Sequence, residues 1–148
     1  MAGQWYRFVG PGATRTEQIL PFSMAFFAAV VVISLSASKG LDWSILQFVL
    51  AGILAFDLIG GPATLATSSA KRWYHRAEAT RANHLTFLFA HLVQIGLVAW
   101  LFRESDWLWF ASISLAVMTA SFLVLSSPIH LQRVLAYFFT CVGFVLGM

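Results

Sequence analysis

The stretch WLWFASISLAVMTASFLVL, residues 107–125, decides the fold class of this chain. It runs for 19 residues without a charged side chain. An α-helix rises about 1.5 Å per residue, and about 20 apolar residues cross the roughly 30 Å hydrocarbon core of a bilayer. The stretch is therefore expected to form a membrane-spanning helix.

The composition of the whole chain agrees with this interpretation. Of the 148 residues, 59% are hydrophobic and 10% are charged, whereas a soluble domain has about 45–50% apolar and about 25% charged residues. A small soluble domain keeps much of its surface wet and could not hide so much apolar side chain. The composition argues against an ordinary soluble enzyme, a nucleic-acid-binding module and a disordered tail.

Four further apolar runs predict additional spans. The chain is expected to form one integral membrane domain, residues 1–148, with the fold of an all-α, polytopic transmembrane helical bundle. Asp42 is a candidate N-cap for the second helix. The last run begins with polar residues, so four spans with a half-buried last helix is the alternative. The five expected spans cover about residues 18–38, 43–67, 82–102, 107–125 and 129–147.

The distribution of Lys and Arg predicts the orientation. Cytoplasmic loops carry an excess of these residues, so the N-terminus is placed in the cytoplasm, with the bacterial inner membrane as the expected location. The net charge of +3 is assigned to loops facing anionic lipid, so membrane lipids rather than nucleic acid are the expected partners. The inner side then holds Arg7, Arg15, Lys71, Arg72, Arg76, Arg81 and Arg133, and the outer side holds Lys39 and Arg103.

Asp57 stands out because it lies in the apolar stretch ILAFDLIGGP, residues 53–62. A carboxyl group inside a membrane is expensive and by default marks a functional site. Gly60, Gly61 and Pro62 follow directly, and a proline with two glycines predicts a helix break of the kind that marks ligand sites in transporters. The alternative is that the helix ends at Ile59, with Asp57 close to the interface.

Polar residues of later spans are expected at a similar depth. His84 and His91 are two helical turns apart and share a helix face, and His91 is placed level with Asp57. The alternative is that Asp57 only satisfies His91 or a helix terminus. The predicted ligand-binding residues are Asp57, Asn83, His84, His91, Gln94 and His130, with Arg76 and Arg133 at the rim.

No motif in the sequence identifies a family, a metal site or a catalytic nucleophile. The chain lacks His-Glu-x-x-His, Cys-x-x-Cys and Gly-x-Ser-x-Gly, each of which carries a known chemistry. No metal and no cofactor are predicted, and haem or metal on the histidines is the alternative. The single cysteine, Cys141, cannot form an internal disulfide.

The leading functional hypothesis is a polar intramembrane pocket, open to the cytoplasmic side, that binds or translocates a small polar molecule, a proton or a lipid head group. One alternative is a membrane-embedded enzyme acting on a lipid or another membrane-borne substrate, with His91 as general acid or base oriented by Asp57. The other alternative is an accessory subunit of a larger membrane complex. A homo-oligomer is expected if the chain is a transporter, because five short helices enclose little volume.

Overall fold

A computed structural model describes residues 4–76 and 81–146, and this part of the chain is entirely helical apart from turns and short connections. The all-α class is therefore confirmed. The chain divides into two compact units, Met1–Ala79 and Thr80–Met148, each of which is considered by itself. The helices are α1 Gln4–Val9, α2 Arg15–Ser38, α3 Ile45–Ala66, α4 Ser68–Tyr74, α5 Arg81–Phe102, α6 Trp107–Ser126 and α7 Ile129–Leu146.

Among the residues that the structure describes, three helices are long and apolar enough to cross a membrane, namely α2, α3 and α6. Many of the large apolar side chains on these helices are exposed, including Phe27 at 69%, Leu58 at 72% and Leu108 at 80%. Contiguous apolar surface of this kind is unfavourable in water and natural in lipid. The chain is accordingly a membrane protein. The described apolar segments of α5 and α7 are shorter, Phe87–Phe102 and Ile129–Val145.

Capping residues fix where the first two long helices begin. The Thr14 side chain accepts a hydrogen bond from the Glu17 amide, and the Glu17 carboxylate accepts one from the Thr14 amide, so α2 begins at Arg15. Ser44 and Gln47 form the same reciprocal box at the start of α3. The prediction that Asp42 caps this helix is therefore wrong. Each box satisfies amides that the first helical turn leaves without a partner.

The helix break predicted at Gly60, Gly61 and Pro62 is not observed, because α3 runs without interruption to Ala66 with Pro62 inside it. The alternative end at Ile59 is likewise not observed. Proline removes only its own amide hydrogen bond and crowds one carbonyl, and close packing of the neighbouring turn against α2 holds the helix together. The chain leaves α3 at Thr67, whose backbone is extended and whose side chain caps α4.

Helices α2 and α3 form an antiparallel hairpin that is the centre of the first unit. Gly60 of α3 is buried against Ala25 of α2, and a Cβ atom added at Gly60 would lie only 2.8 Å from the Ala25 Cβ. One turn away, the rings of Phe22 and Phe56 meet edge to face at 5.5 Å between centroids. The two helices therefore approach as closely as the small residues allow, as is common between membrane helices.

The short helices α1 and α4 pack together at the end of the hairpin where α2 begins. Gly10, just after α1, has φ +90°, and a Cβ atom there would lie 2.5 Å from the Ser69 carbonyl oxygen of α4. Only glycine allows both this backbone conformation and this approach. The Tyr74 hydroxyl donates to the Phe8 carbonyl at 3.3 Å, and burial raises the pKa of the Tyr74 phenol. Lys71 and Arg72, which were expected in a loop, thus lie in helix α4.

In the second unit, α6 packs against both α5 and α7. Gly96 of α5 faces the Phe110 ring of α6, which a Cβ atom at Gly96 would meet at 3.5 Å. The turn between α5 and α6 is tight, with Glu104 and Ser105 at positive φ. Asp106 then caps α6 by accepting the Trp109 amide at 2.9 Å. The helix expected at residues 107–125 lies at Trp107–Ser126.

Candidate functional site

A partly open cleft of about 160 Å³ lies in the first unit, where α1 crosses the α2–α3 hairpin. Its lining is mostly apolar and includes Ala25 and Gly60, whose close contact is described above. We call it the Asp57 cleft, after the one acidic residue among its lining side chains. The residues that line it are Trp5, Phe8, Val9, Gln18, Pro21, Phe22, Ala25, Phe56, Asp57, Gly60, Gly61 and Thr64.

Four aromatic rings form much of the wall of the Asp57 cleft. Trp5 and Phe8 come from α1, with their ring centroids 6.1 Å apart, and Phe22 and Phe56 come from the hairpin. Ligand sites in proteins are commonly lined by apolar and aromatic side chains with a few polar groups that orient the ligand. The Asp57 cleft has this composition.

The polar side chains of the cleft divide into a structural pair and a candidate ligand-binding group. The Trp5 indole Nε1 donates to the Gln18 Oε1 at 2.9 Å, and the Gln18 Nε2 donates to the Ala13 carbonyl at 2.9 Å. Both ends of Gln18 are thus used to hold α1 on the start of α2. Asp57 is half-buried on α3, lines the cleft and has contacts of its own, and its carboxyl group is the candidate for contact with a ligand.

The position of α1 over the cleft depends on the first turn of α4. The Glu17 carboxylate accepts hydrogen bonds from the Ser69 amide at 3.1 Å and from the Ser69 hydroxyl at 2.8 Å. Arg72 donates to the same hydroxyl at 3.3 Å. Because Ser69 also packs on Gly10, this group of polar contacts fixes the turn from which α1 extends.

Of the predicted site residues in the first unit, Asp57 lies in the cleft and Arg76 does not line it. The Arg76 guanidinium lies 3.8 Å from the centre of the Trp73 ring, and it donates to the Trp73 carbonyl at 2.6 Å. These local contacts anchor Arg76 at the end of α4. Asn83 and His84 belong to α5, but their side chains lie outside the described residues.

The remaining predicted site residues belong to the second unit, so their proximity to Asp57 stays a prediction. His91 is on α5, and its Nδ1 donates to the Phe87 carbonyl at 2.8 Å. A neutral ring then presents Nε2 as an acceptor. Gln94 lies one turn further along α5, half-buried. His130 and Arg133 are exposed on the first turns of α7.

Sequence reasoning missed most of the wall of the Asp57 cleft. It did not predict α1, and it therefore did not place Trp5, Phe8 or Gln18 beside Asp57. Two signals were present in the sequence. Thr14 and Glu17 have the spacing of a capping box, and the glycine-rich turn at residues 10–12 separates a short N-terminal helix from α2.

Among the residues that the structure describes, no group of three or more His, Cys, Asp or Glu side chains lies close enough to hold a metal ion. The class that the fold defines is a helical membrane protein. No protein family, curated protein or solved structure matches the chain.

Proposed function

We propose that this chain is an integral membrane protein that binds a small molecule with a polar end in the Asp57 cleft. The observation that carries the proposal is the position of one carboxyl group, from Asp57, in a mostly apolar cleft within the α2–α3 hairpin. Carboxyl groups in apolar membrane segments are costly, and they are retained where they act. A cleft with apolar walls and one ionisable group is the usual form of a small-ligand site.

Binding is favoured over catalysis and over translocation by two features of the cleft. Among the described residues, those that line the cleft include a carboxyl group but no histidine, cysteine or lysine, so they do not assemble the general acid–base pair of an enzyme. The close Ala25–Gly60 contact is part of the cleft lining and leaves little space between α2 and α3 there, which supports a binding site over a passage between these helices. A small polar molecule or a lipid head group entering from the open side fits this shape.

The test of binding uses a variant that fills the cleft. Gly61 lines the cleft, and apart from its chain neighbours a Cβ atom there would meet no heavy atom within 4 Å, so Gly61→Leu places a side chain in the space with only the Pro62 ring close to its Cβ. Native mass spectrometry of the protein purified from membranes in a maltoside detergent measures retained small molecules. We expect a retained mass in the wild type and its loss in Gly61→Leu.

The matched control is Gly143→Leu on α7, where a Cβ atom also meets nothing within 4 Å. This variant makes the same substitution away from the cleft and should keep the retained mass. Equal retention by the wild type and Gly61→Leu, or no retained mass in either, would contradict the proposed site.

We also propose five spans in a bacterial inner membrane, with the N-terminus in the cytoplasm. The support is the length of α5 and α7, 22 and 18 residues, together with the excess of Lys and Arg on one side. The test labels single cysteines in a Cys141→Ser background with a membrane-impermeant maleimide. Ser105→Cys should react from outside intact cells, and Ser127→Cys should react only after lysis. Reaction of both from outside would exclude this topology.

A further inference from the structure

We propose that the end of the hairpin where α2 begins carries a surface that binds the head group of an anionic phospholipid. We call this surface the basic collar, and its described cationic side chains are those of Arg15, Lys71, Arg72 and Arg76. None of these residues lines the Asp57 cleft, so the inference is independent of the proposed function. The charge of the collar, its position beside exposed apolar surface and its aromatic neighbours favour a lipid as the partner.

The two ends of the hairpin differ in charge. Because α2 and α3 are antiparallel, the segment before α2 and the segment after α3 meet at one end, as the Glu17–Ser69 contact shows. Residues 4–18 and 67–79 contain five Lys or Arg and two Glu, whereas the turn at residues 38–44 contains one Lys and one Asp. Two carboxylates neutralise at most two of the five cations, so an excess of positive charge remains whatever pairs they form.

The packing of α4 leaves its cations on the outside. Ser69 and Ala70 are 1% and 0% exposed, and they pack against the turn at Gly10. Lys71 and Arg72 follow directly and are exposed. The Arg72 guanidinium donates one hydrogen bond to the Ser69 hydroxyl at 3.3 Å. A guanidinium has five N–H donors and an ammonium has three, so both side chains have capacity for the phosphate oxygens that Arg and Lys bind in proteins.

The basic collar adjoins surface that is suited to hydrocarbon, which favours a phospholipid over a soluble anion. Ile19 follows Arg15 by four residues and lies on the same face of α2. Ile19 and its neighbour Leu20 are 63% and 58% exposed. Because exposed apolar side chains of a long apolar helix are natural in lipid, Arg15 is placed at the level where the head groups begin. Lys and Arg side chains at this level attract anionic lipids.

Aromatic side chains with a polar end flank the basic collar. Tyr6 of α1 is 44% exposed, and Trp73 and Tyr74 of α4 are half-buried. The Arg76 guanidinium lies 3.8 Å from the centre of the Trp73 ring. Trp and Tyr are enriched at membrane–water interfaces, where their rings lie at the level of the head groups. These side chains therefore support the same level for the collar as Ile19 and Leu20 do.

The experiment compares phosphatidylglycerol, which is anionic, with phosphatidylcholine, which is zwitterionic, at matched acyl chains. Each lipid is added to the delipidated full-length protein in a maltoside detergent, and native mass spectrometry measures the fraction of protein that carries it. One Lys or Arg near a membrane surface contributes about 1 kcal/mol, or about fivefold in affinity. We expect the wild type to bind phosphatidylglycerol at least about fivefold more tightly than phosphatidylcholine. Lys71→Gln and Arg15→Gln should each weaken phosphatidylglycerol binding about fivefold.

The matched control is Lys39→Gln, which removes the same charge from an exposed lysine at the other end of the hairpin. This variant should keep the wild-type preference for phosphatidylglycerol. Lys71→Arg should keep it as well, because arginine retains the charge. Circular dichroism with an unchanged helical signal confirms that a loss of lipid binding is not a loss of fold.

Three outcomes would overturn the inference. The first is equal binding of the two lipids by the wild type, and the second is an unchanged preference in both Lys71→Gln and Arg15→Gln. The third is an equal loss in Lys39→Gln and Lys71→Gln, because binding would then follow net charge and not the collar. Displacement of phosphatidylglycerol by an equal concentration of glycerol phosphate would assign the surface to a soluble anion and would also contradict the lipid as partner. The retained mass expected for the Asp57 cleft is measured separately and does not depend on these results.

Discussion

The carboxylate of Glu17 accepts hydrogen bonds from the amide of Ser69 at 3.1 Å and from its hydroxyl at 2.8 Å, although the two residues are 52 positions apart in the sequence. The same carboxylate accepts the Thr14 amide at 3.0 Å as part of the box that begins α2. One side chain therefore accepts the N-cap amide at the start of α2 and also holds α4 against this helix. Ser69 is 1% exposed, so its ends of these hydrogen bonds are buried.

The Glu17–Ser69 contact bears on the Asp57 cleft through α1. Ser69 packs directly on Gly10, and Tyr74 of α4 bonds to the Phe8 carbonyl. Trp5 and Phe8 of α1 form part of the cleft wall. Loosening α4 is therefore expected to move the wall of the cleft as well as to destabilise the hairpin end.

Ser69→Ala is expected to lower the free energy of unfolding by about 1 kcal/mol, the typical contribution of one hydrogen bond. Glu17→Ala should lower it further, because it removes the contacts to Ser69 and the capping box together. Titration with SDS, followed by circular dichroism, measures both changes. Both variants should also weaken ligand retention in the Asp57 cleft, which native mass spectrometry detects.

Thr14→Ala is the matched control for these two variants. It removes the N-cap, at a typical cost of 0.5–2 kcal/mol, but leaves the Ser69 contacts in place. Its ligand retention should equal that of the wild type. Equal loss of retention in Thr14→Ala and Ser69→Ala would show that the cleft responds to overall stability and not to α4.

Adjacent glycines of α3 are expected to respond differently to alanine. At Gly60 the added methyl group would lie 2.8 Å from the Ala25 Cβ, and overpacking of this kind costs about 1–3 kcal/mol. At Gly61 the methyl group meets nothing within 4 Å. There the gain in helix propensity is offset by the clash with the following proline ring, so the change should stay within about 0.5 kcal/mol. SDS titration measures both variants, and an equal loss in both would contradict the close contact.

The long helices could be predicted from the sequence because apolar length and capping residues are local signals. The expected spans at residues 43–67 and 107–125 correspond to α3, Ile45–Ala66, and α6, Trp107–Ser126. The start of α2 was placed too late because Arg15 and Glu17 are charged. The capping box extends the helix through them, since a first turn at the membrane edge tolerates charge.

The cleft could be predicted only in part. Asp57 was found because a carboxyl group in an apolar run is rare. Trp5 and Phe8 were missed because their proximity to Asp57 arises from contacts between α1, α2 and α4, which no periodicity in the sequence reports. The proline at residue 62 was over-interpreted, since α3 continues through it to Ala66 and a proline removes only one helix hydrogen bond.

Asp106 is expected to make the second unit sensitive to acid. The backbone hydrogen bond from Trp109 lowers the pKa of the Asp106 carboxyl below its usual value, with a smaller contribution from Arg103. Because the folded pKa is depressed, the stabilisation is fully present above the usual aspartate pKa of about 3.9 and is lost as the pH falls through the lower folded value. The unfolding temperature of the wild type should therefore decrease as the pH falls below the usual aspartate pKa.

Asp106→Asn isolates this contribution, because asparagine caps a helix about as well as aspartate but does not titrate. The difference in unfolding temperature between wild type and variant should change as the pH falls below about 4 and stay constant above about 6. A pH-independent difference would contradict the assignment. Arg103→Gln should have little effect at neutral pH, since the Arg103–Asp106 pair is exposed, at 44% and 39%, and such pairs contribute little.

Ser114 of α6 is expected to be a site where alanine stabilises the protein. It is 9% exposed, and its hydroxyl has no hydrogen-bond partner in the part of the chain that the structure describes, a situation that costs about 1–3 kcal/mol. Ser114→Ala removes the hydroxyl and should raise the free energy of unfolding by about 1 kcal/mol in SDS titration.

Ser112→Ala, two residues away, is the matched control, because the Ser112 hydroxyl is exposed and donates to the Leu108 carbonyl at 2.8 Å. That control should change stability by less than about 0.5 kcal/mol. If Ser114→Ala instead destabilised the protein in the bilayer, the hydroxyl would have a partner there, supplied by a ligand, a lipid or a second chain.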